Sequence, residues 1–86
     1  MRKIIKFTAD WCQPCKALEP FLRQAEEKGF TVERVNVDKD QEMVDMYKVT
    51  SLPTTILLSE FGAEYLIGSG ADTVKRIKQF TGLATE

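Results

Sequence analysis

Two cysteines separated by two residues are the feature of this sequence that could most directly carry out chemistry. Cys12 and Cys15 flank Gln13 and Pro14, and they are the only cysteines among the 86 residues. At this spacing the sulfurs can close a small disulfide, and the second thiol can attack a mixed disulfide formed by the first. The pair therefore predicts thiol-disulfide exchange, with Cys12 as the attacking sulfur and Cys15 as the resolving one.

The same spacing also occurs in half of a zinc site. Structural zinc is bound by four Cys or His ligands, and this chain has no histidine and no third cysteine. Only a dimer could complete such a site. Redox chemistry is favoured, no metal ligand is predicted, and a metal-binding module stays open as an alternative.

The residues around the cysteines indicate a strand followed by a helix. Lys3 to Thr8 is rich in Ile and Phe, which is typical of a short strand covered on both faces. Apolar residues at helical spacing then predict a helix that bends near Pro20 and ends at Gly29. Cys12 would begin this helix, where unpaired N–H groups and the helix dipole stabilise a thiolate. Pro14 suits the first helical turn.

The rest of the chain completes an α/β pattern. Phe30 to Val37 predicts a second strand, and Asp38 with Gln41 resembles a capping box that opens a short helix. The later elements are an antiparallel hairpin and a last helix: Thr54 to Ser59, Glu64 to Gly68, and a helix that carries Val74, Ile77 and Phe80 inward and stops at Gly82. The order β-α-β-α-β-β-α predicts one domain over residues 1–86, with a central mixed four-stranded sheet flanked by three helices.

The composition of the chain argues against nucleic acid and membranes as partners. Hydrophobic residues make up 43% and charged residues 29% of the chain, which is ordinary for a globular protein, and the formal net charge is -1. No basic face for nucleic acid is expected. The longest apolar runs are far too short to span a membrane, and no leader-like segment precedes the first strand. We expect a monomeric cytoplasmic protein without a cofactor other than its redox-active disulfide.

The segment from Trp11 to Lys16 resembles the Trp-Cys-Gly-Pro-Cys-Lys active site of the thioredoxin family, with Gln13 in place of the glycine. Further likenesses at matching separations are Phe7, Ala9, Pro20, Asn36-Val37-Asp38 and Leu52-Pro53-Thr54. The resemblance covers nearly the whole chain and implies a minimal thioredoxin fold of glutaredoxin size, without the first strand and helix of longer thioredoxins.

The resemblance also implies a substrate-binding surface. Pro53 would be cis and face the disulfide, and Leu52 would offer backbone hydrogen bonds to an extended substrate. Trp11 would form part of an apolar docking rim. The alternatives are that Pro53 is a plain strand-starting proline and that Trp11 is a core aromatic.

The stretch from Gly68 to Asp72 fits two families. Gly68 and Gly70 resemble the thioredoxin glycine beside the substrate groove, and the stretch also resembles the region with which glutaredoxins hold the glutathione carboxylate. A flexible turn with Asp72 as a helix cap is the structural alternative.

Lys6 departs from the thioredoxin pattern. The family carries a buried aspartate there, six residues before the first cysteine, which accepts the proton of the resolving thiol. A buried Lys6 would have to titrate low, pair with a carboxylate or extend its amine to water. Its nearby positive charge could favour a thiolate, and the alternative is a snorkelling lysine without catalytic meaning. Asp10 and Lys16 are expected to be solvated.

The resemblance implies a protein-disulfide reductase in electron transport. Its expected partners are disulfide-containing proteins, thioredoxin reductase or an equivalent enzyme, and ribonucleotide reductase as a client. The first alternative is a glutaredoxin-like protein recycled by glutathione, and a metal-binding module is the second.

Overall fold

The computed structural model describes residues 2–83, so position 1 and positions 84–86 of the predicted domain lie outside the described residues. In chain order the elements are β1 Lys3–Thr8, α1 Gln13–Ala17, α2 Glu19–Glu27, β2 Thr31–Asn36, α3 Gln41–Tyr47, β3 Thr54–Ser59, β4 Gly62–Ile67 and α4 Ala71–Thr81. Because α1 and α2 are the two halves of the helix predicted after the cysteines, the order agrees with the predicted β-α-β-α-β-β-α.

The four strands form one mixed sheet in the order β2-β1-β3-β4. β1 pairs in parallel with β2 and antiparallel with β3, and β3 pairs antiparallel with β4. β1 is therefore an inner strand, and its four central residues are buried, as its apolar sequence predicts. At the middle of β1, Lys6 lies beside Arg34 of β2 and Thr55 of β3.

The core has two parts, one on each face of the sheet. On one face α2 and α4 cover a cluster made of Ile4, Leu18, Leu22, Ala25, Leu57, Leu66 and Ile77. On the other face side chains of α3 and the following loop cover Ile5, Phe7, Val35 and Ile56. Successive residues of β1 alternate between the two clusters because side chains of a strand alternate between faces.

The predicted bend near Pro20 is an interruption of the helix at Leu18. Pro20 has no N–H to donate to the carbonyl of Lys16 four residues earlier, and its ring crowds that carbonyl. The chain instead makes tighter bonds, from Leu18 N to Cys15 O at 3.3 Å and from Phe21 N to Leu18 O at 3.1 Å. α2 therefore starts as a separate helix at Glu19, directly after the active-site turn.

The prediction that Asp38 and Gln41 form the capping box of α3 is wrong. Asp40 is the N-cap residue, and its carboxylate accepts the N–H of Met43 at 3.1 Å. Asp40 has the spacing that a capping side chain needs, because such a side chain bonds the second or third N–H of the helix. Asp38 is thereby free to bind another side chain.

The hairpin and the last helix agree with the sequence prediction. β4 starts at Gly62, two residues before the predicted strand, and Gly62 has a positive φ of 123° that suits a glycine in the turn. α4 ends at Thr81, and Gly82 is its C-cap in the left-handed conformation. No helix within residues 2–83 is long and apolar enough to cross a membrane.

We predict that Ile77→Ala lowers the free energy of unfolding by about 3 kcal/mol, because it removes a fully buried side chain that closes the α4 side of the core. Chemical denaturation of the oxidised protein measures the change. Lys75→Ala, at an exposed position of the same helix, is the control and should stay within about 0.5 kcal/mol of the parent. Equal losses in the two variants would contradict this account of the core.

Candidate active site

The Cys12–Cys15 pair lies where β1 leaves the sheet and α1 begins. The two sulfurs are bonded as a disulfide, and their Cα atoms are 5.4 Å apart. Cys12 is the N-cap of α1, and its sulfur accepts the backbone N–H of Cys15 at 3.3 Å. The N–H of Cys12 donates to the carbonyl of Ala9 at 3.1 Å, which closes the turn between strand and helix. The predicted disulfide and its place in the fold are confirmed.

The two sulfurs differ in access to solvent. Cys12 is 5% exposed and Cys15 is fully buried. Gln13 and Pro14 are exposed between them, and Pro14 occupies the first turn of α1 as predicted. Cys12 lines an open groove and Cys15 does not, so Cys12 is the cysteine that another molecule can approach. Within residues 2–83 no group of three or more His, Cys, Asp or Glu side chains is placed to hold a metal ion.

Lys6 is buried directly beneath the disulfide turn. Its side chain is 1% exposed, its Nζ donates to the carbonyl oxygen of Cys15 at 2.6 Å, and it forms an ion pair with Glu19. The alternative of a snorkelling lysine is wrong, and of the three possibilities for a buried lysine the pairing with a carboxylate is found. Thr55 lies opposite on β3, and its buried hydroxyl oxygen has no hydrogen-bond partner among the described residues.

Arg34 of β2 joins this ion pair to a second carboxylate. Its Nε donates to both oxygens of Glu19 at 3.1 and 3.2 Å, and its two terminal nitrogens donate to Glu26 at 3.0 and 3.1 Å. Partial burial acts to raise the pKa of Glu19, but hydrogen bonds and charge from Arg34 and Lys6 outweigh it and hold the pKa below its ordinary value. The hydrogen bond from Arg34 likewise lowers the pKa of Glu26.

Trp11 lies on the solvent side of the disulfide. It is 68% exposed, so the alternative of a core aromatic is wrong. Its Nε1 donates to the carboxylate of Asp38 at 2.8 Å, and Asp38 is itself fixed by a bond from its N–H to the side-chain oxygen of Asn36 at 2.9 Å. The same Asn36 donates to Asp10 at 3.4 Å. The ring is thus held in place while its apolar face remains open.

An open groove runs along the disulfide turn. One wall is formed by the turn itself and the other by the loop before β3; the lining residues are Trp11, Cys12, Gln13, Pro14, Thr50, Ser51 and Leu52. The Leu52–Pro53 peptide bond is cis, as the resemblance implied, and Pro53 is buried. Leu52 also packs against the cluster of Ala9 and the two cysteines. The predicted Trp11 and Leu52 are therefore brought together beside Cys12, and that Pro53 faces the disulfide stays a prediction.

The two predicted glycines are placed differently. The N–H of Gly68 donates to the carbonyl of Pro53 at 2.9 Å, and Gly68 has a positive φ of 88°. Gly70 is the N-cap of α4 and does not line the groove. Asp72 lies in the first turn of α4, so the alternative of Asp72 as the helix cap is wrong. Gly68 supports the loop that carries Pro53, and Lys16 is exposed on α1.

Sequence reasoning missed Glu19 and Arg34 as parts of the site. Glu19 follows Cys15 by four residues, a spacing that brings side chains to the same side of a helix. Together with a lysine in a buried strand, which requires a carboxylate partner, this spacing could have indicated the ion pair. For Arg34 the only signal that could have indicated a part in the site was its place opposite Lys6 in the neighbouring parallel strand.

Comparison with known sequences gives a consistent result. The model of the Thioredoxin family matches residues 1–82. The thioredoxin of Mycoplasma pneumoniae is 42% identical over 59 residues, which cover 66% of this chain and 58% of that protein. Thioredoxin-1 of Drosophila yakuba is 36% identical over 75 residues, covering 84% of this chain and 69% of its own length. The chain thus spans less than two thirds of several of these relatives.

Solved structures agree with the sequences. The oxidised mitochondrial thioredoxin 3 of Saccharomyces cerevisiae has a TM-score of 0.78 at 25% identity, over 95% of this chain and 78% of that one. A thioredoxin of Plasmodium falciparum has a TM-score of 0.77 at 26% identity, over 93% and 81%. These likenesses define a thioredoxin fold around a redox disulfide. The chain belongs to the thioredoxin family.

We predict that Glu19→Gln destabilises the protein by about 3 kcal/mol near neutral pH, because it leaves the buried Lys6 ammonium without its counter-charge. The folded pKa of Glu19 lies below its ordinary value of 4.5, so the stability from this carboxylate is fully present above that pH and is lost as the pH falls through the folded pKa. The difference between parent and variant should therefore shrink in acid. Denaturation at a series of pH values measures it.

The matched control is Glu27→Gln, which makes the same change at an exposed position of the same helix. It should follow the parent protein at every pH within about 0.5 kcal/mol. A Glu19→Gln deficit that stays constant from neutral pH into acid would show that the carboxylate charge is not its source.

Proposed function

We propose that this chain is a thiol-disulfide oxidoreductase that reduces disulfides in other proteins. The observation that carries the proposal is the disulfide between Cys12, which lines the groove at the start of α1, and a fully buried Cys15 one turn later. A sulfur that lines a groove can meet a substrate, and a buried one within bonding distance can end the reaction. The family membership of the chain supports the same assignment.

The first step starts from the reduced pair. The Cys12 thiolate attacks one sulfur of the substrate disulfide, the substrate S–S bond breaks, and the departing substrate sulfur leaves as a thiolate that takes a proton from water. Cys12 and the substrate are then joined by a mixed disulfide. The N–H of Cys15, which already points at the Cys12 sulfur at 3.3 Å, can donate to the negative sulfur before attack.

The second step releases the product. Cys15 gives up its proton and attacks the sulfur of Cys12, the mixed disulfide breaks, and the second substrate sulfur departs as a thiolate, which takes up the proton that Cys15 released. Two electrons have passed to the substrate, and the enzyme holds the Cys12–Cys15 bond seen in the structure. No further group has to move the electrons, since both are carried by the sulfurs.

The groove beside the disulfide is the proposed substrate site. Trp11 offers an exposed apolar face, and Thr50, Ser51 and Leu52 form the opposite wall, with Leu52 packed next to Cys12. An extended peptide could lie between them with its sulfur over Cys12. In this assignment Gly68 acts through Pro53, whose carbonyl accepts its N–H, whereas a substrate contact at Gly70 stays a prediction because Gly70 does not line the groove.

The oxidised form needs an external source of electrons. We assign this role to thioredoxin reductase or an equivalent enzyme, and ribonucleotide reductase is a proposed client that would place the protein in electron transport. The cytoplasmic location and the monomeric state stay predictions. Nothing in the comparisons or among the described residues favours glutathione-dependent recycling or metal binding.

We predict that Cys12→Ser abolishes insulin-disulfide reduction, because serine supplies no nucleophile at that position. Cys15→Ser should also lose turnover, but it should accumulate a covalent mixed disulfide with the substrate, since Cys12 can still attack and nothing resolves the product. Turbidity of reduced insulin measures turnover, and non-reducing mass spectrometry detects the adduct. Each variant is the control for the other, and full activity of Cys12→Ser would rule out the proposed nucleophile.

The source of electrons is tested in the same assay. NADPH is supplied either with thioredoxin reductase or with glutathione and its reductase, and the rate of NADPH oxidation is followed. We expect turnover with thioredoxin reductase. Turnover sustained only by glutathione would contradict this assignment and identify the glutaredoxin-like alternative.

We predict that Trp11→Ala raises KM for a protein disulfide roughly tenfold, the equivalent of about 1.4 kcal/mol of lost apolar contact, with little change in kcat. Phe61→Ala is the matched control, because Phe61 is 89% exposed and lies at the turn after β3, one strand length from the disulfide. It should leave KM unchanged. Equal effects of the two variants would show that Trp11 is not part of a specific docking surface.

A further inference from the structure

A cation is buried under the resolving cysteine. Lys6 is 1% exposed, and its Nζ donates to the carbonyl oxygen of Cys15 at 2.6 Å. The same carbonyl accepts the N–H of Leu18 at the end of α1. A buried lysine is uncommon unless it is paired. Here the charge of Lys6 lies next to Cys15, the buried thiol that has to ionise in the second step of the proposed reaction.

The distance from this charge to the Cys15 sulfur has an upper limit. Only the carbonyl bond and three further covalent bonds lie between Cys15 O and Cys15 Sγ, so the ammonium nitrogen is within about 8 Å of the sulfur. Cys15 itself is fully buried, so water screens this interaction weakly. A charge at that distance acts on the ionisation of the thiol.

The other charged groups around Lys6 come from α2 and β2. Glu19 of α2 pairs with Lys6 directly, Arg34 of β2 binds Glu19, and Glu26 and Arg23 of α2 lie further out. From β3 the neighbour is Thr55, which does not titrate. Lys6 is the member of this group that contacts Cys15, and the negative Glu19 opposes its effect on the sulfur.

We propose that Lys6 is a positioning residue for the second step of the reaction, one that favours the thiolate of Cys15 through its buried positive charge while it holds the Cys15 carbonyl. Glu19 sets the strength of this effect by neutralising part of the charge. The inference rests on the proposed function, because it concerns the step in which Cys15 attacks the mixed disulfide.

A purely structural role for the ion pair makes a different prediction. If Lys6 and Glu19 only stabilised the fold, removing either would loosen the site in a similar way. If the charge acts on the thiol, removing the cation and removing the anion must have opposite effects. The sign of the change therefore separates the two explanations, whatever happens to stability.

The experiment titrates Cys15 alone. In the Cys12→Ser protein Cys15 is the only thiol, because the chain has two cysteines. The ultraviolet absorbance of its thiolate is followed against pH in that background, in Lys6→Met, in Glu19→Gln and in the double variant Lys6→Met with Glu19→Gln. Met keeps a long apolar chain at position 6, and Glu19 keeps Arg34 as a partner, so Lys6→Met has reason to fold.

We expect the titration midpoint of Cys15 to rise by roughly one pH unit in Lys6→Met and to fall in Glu19→Gln. The double variant should lie between them, because it removes both charges. Lys3→Met, in the same strand but part-exposed and paired with Glu33, is the control and should not move the midpoint. Circular dichroism confirms that each variant is folded. If one single variant is not folded, the other single variant is compared with the double variant.

Midpoints that shift in the same direction in both single variants, or that do not shift, would overturn the proposal. A double variant whose midpoint lies outside the two singles would also overturn it. These outcomes are independent of the proposed function, since the titration needs no substrate. If the unmodified protein reduces insulin but the midpoints do not shift, the role of Lys6 is rejected and the proposed function stands.

Discussion

The hydrogen bond from the buried Lys6 ammonium to the Cys15 carbonyl is the contact on which the site depends. It joins the middle of the inner strand β1 to the end of α1, and the ion pair with Glu19 extends the link to α2. Arg34 of β2 completes it from the neighbouring strand. Burying a charge is costly unless it is paired and hydrogen-bonded, so these elements must meet in one arrangement, and that arrangement places the disulfide.

The two sides of the disulfide have different surroundings. The inner side is a buried charged cluster that contacts Cys15 through its backbone, whereas the outer side is a groove beside the apolar face of Trp11, which leads to Cys12. The bond from Trp11 to Asp38 fixes the ring without covering it. In the proposed function, substrate access and the ionisation of Cys15 thus depend on separate groups, and a change on one side need not disturb the other.

The sequence predicted the parts whose signals are local. The spacing of the cysteines predicted the disulfide, the apolar sequence of β1 predicted a covered strand, and the glycine after α4 predicted the end of the last helix. The cap of α3 was misplaced because Asp38 and Asp40 both precede the helix, and only the backbone decides which carboxylate faces its N–H groups. The ion pair of Lys6 with Glu19 had only the indirect signal of the spacing between Cys15 and Glu19, and the second ion pair, of Glu19 with Arg34, depends on strand register and on where α2 starts after Leu18.

The start of α2 at Glu19 explains how position 6 can depart from the family pattern. The resemblance implies an aspartate at position 6, where a carboxylate on β1 would supply the negative charge; here β1 supplies the positive charge and the carboxylate comes from α2. Pro20 interrupts the helix at Leu18 and starts α2 at Glu19, whose side chain reaches Lys6. The reversed charge at position 6 thus requires an acid at position 19, and Arg34 holds that acid from the far side. We therefore regard Lys6, Glu19 and Arg34 as one charged unit.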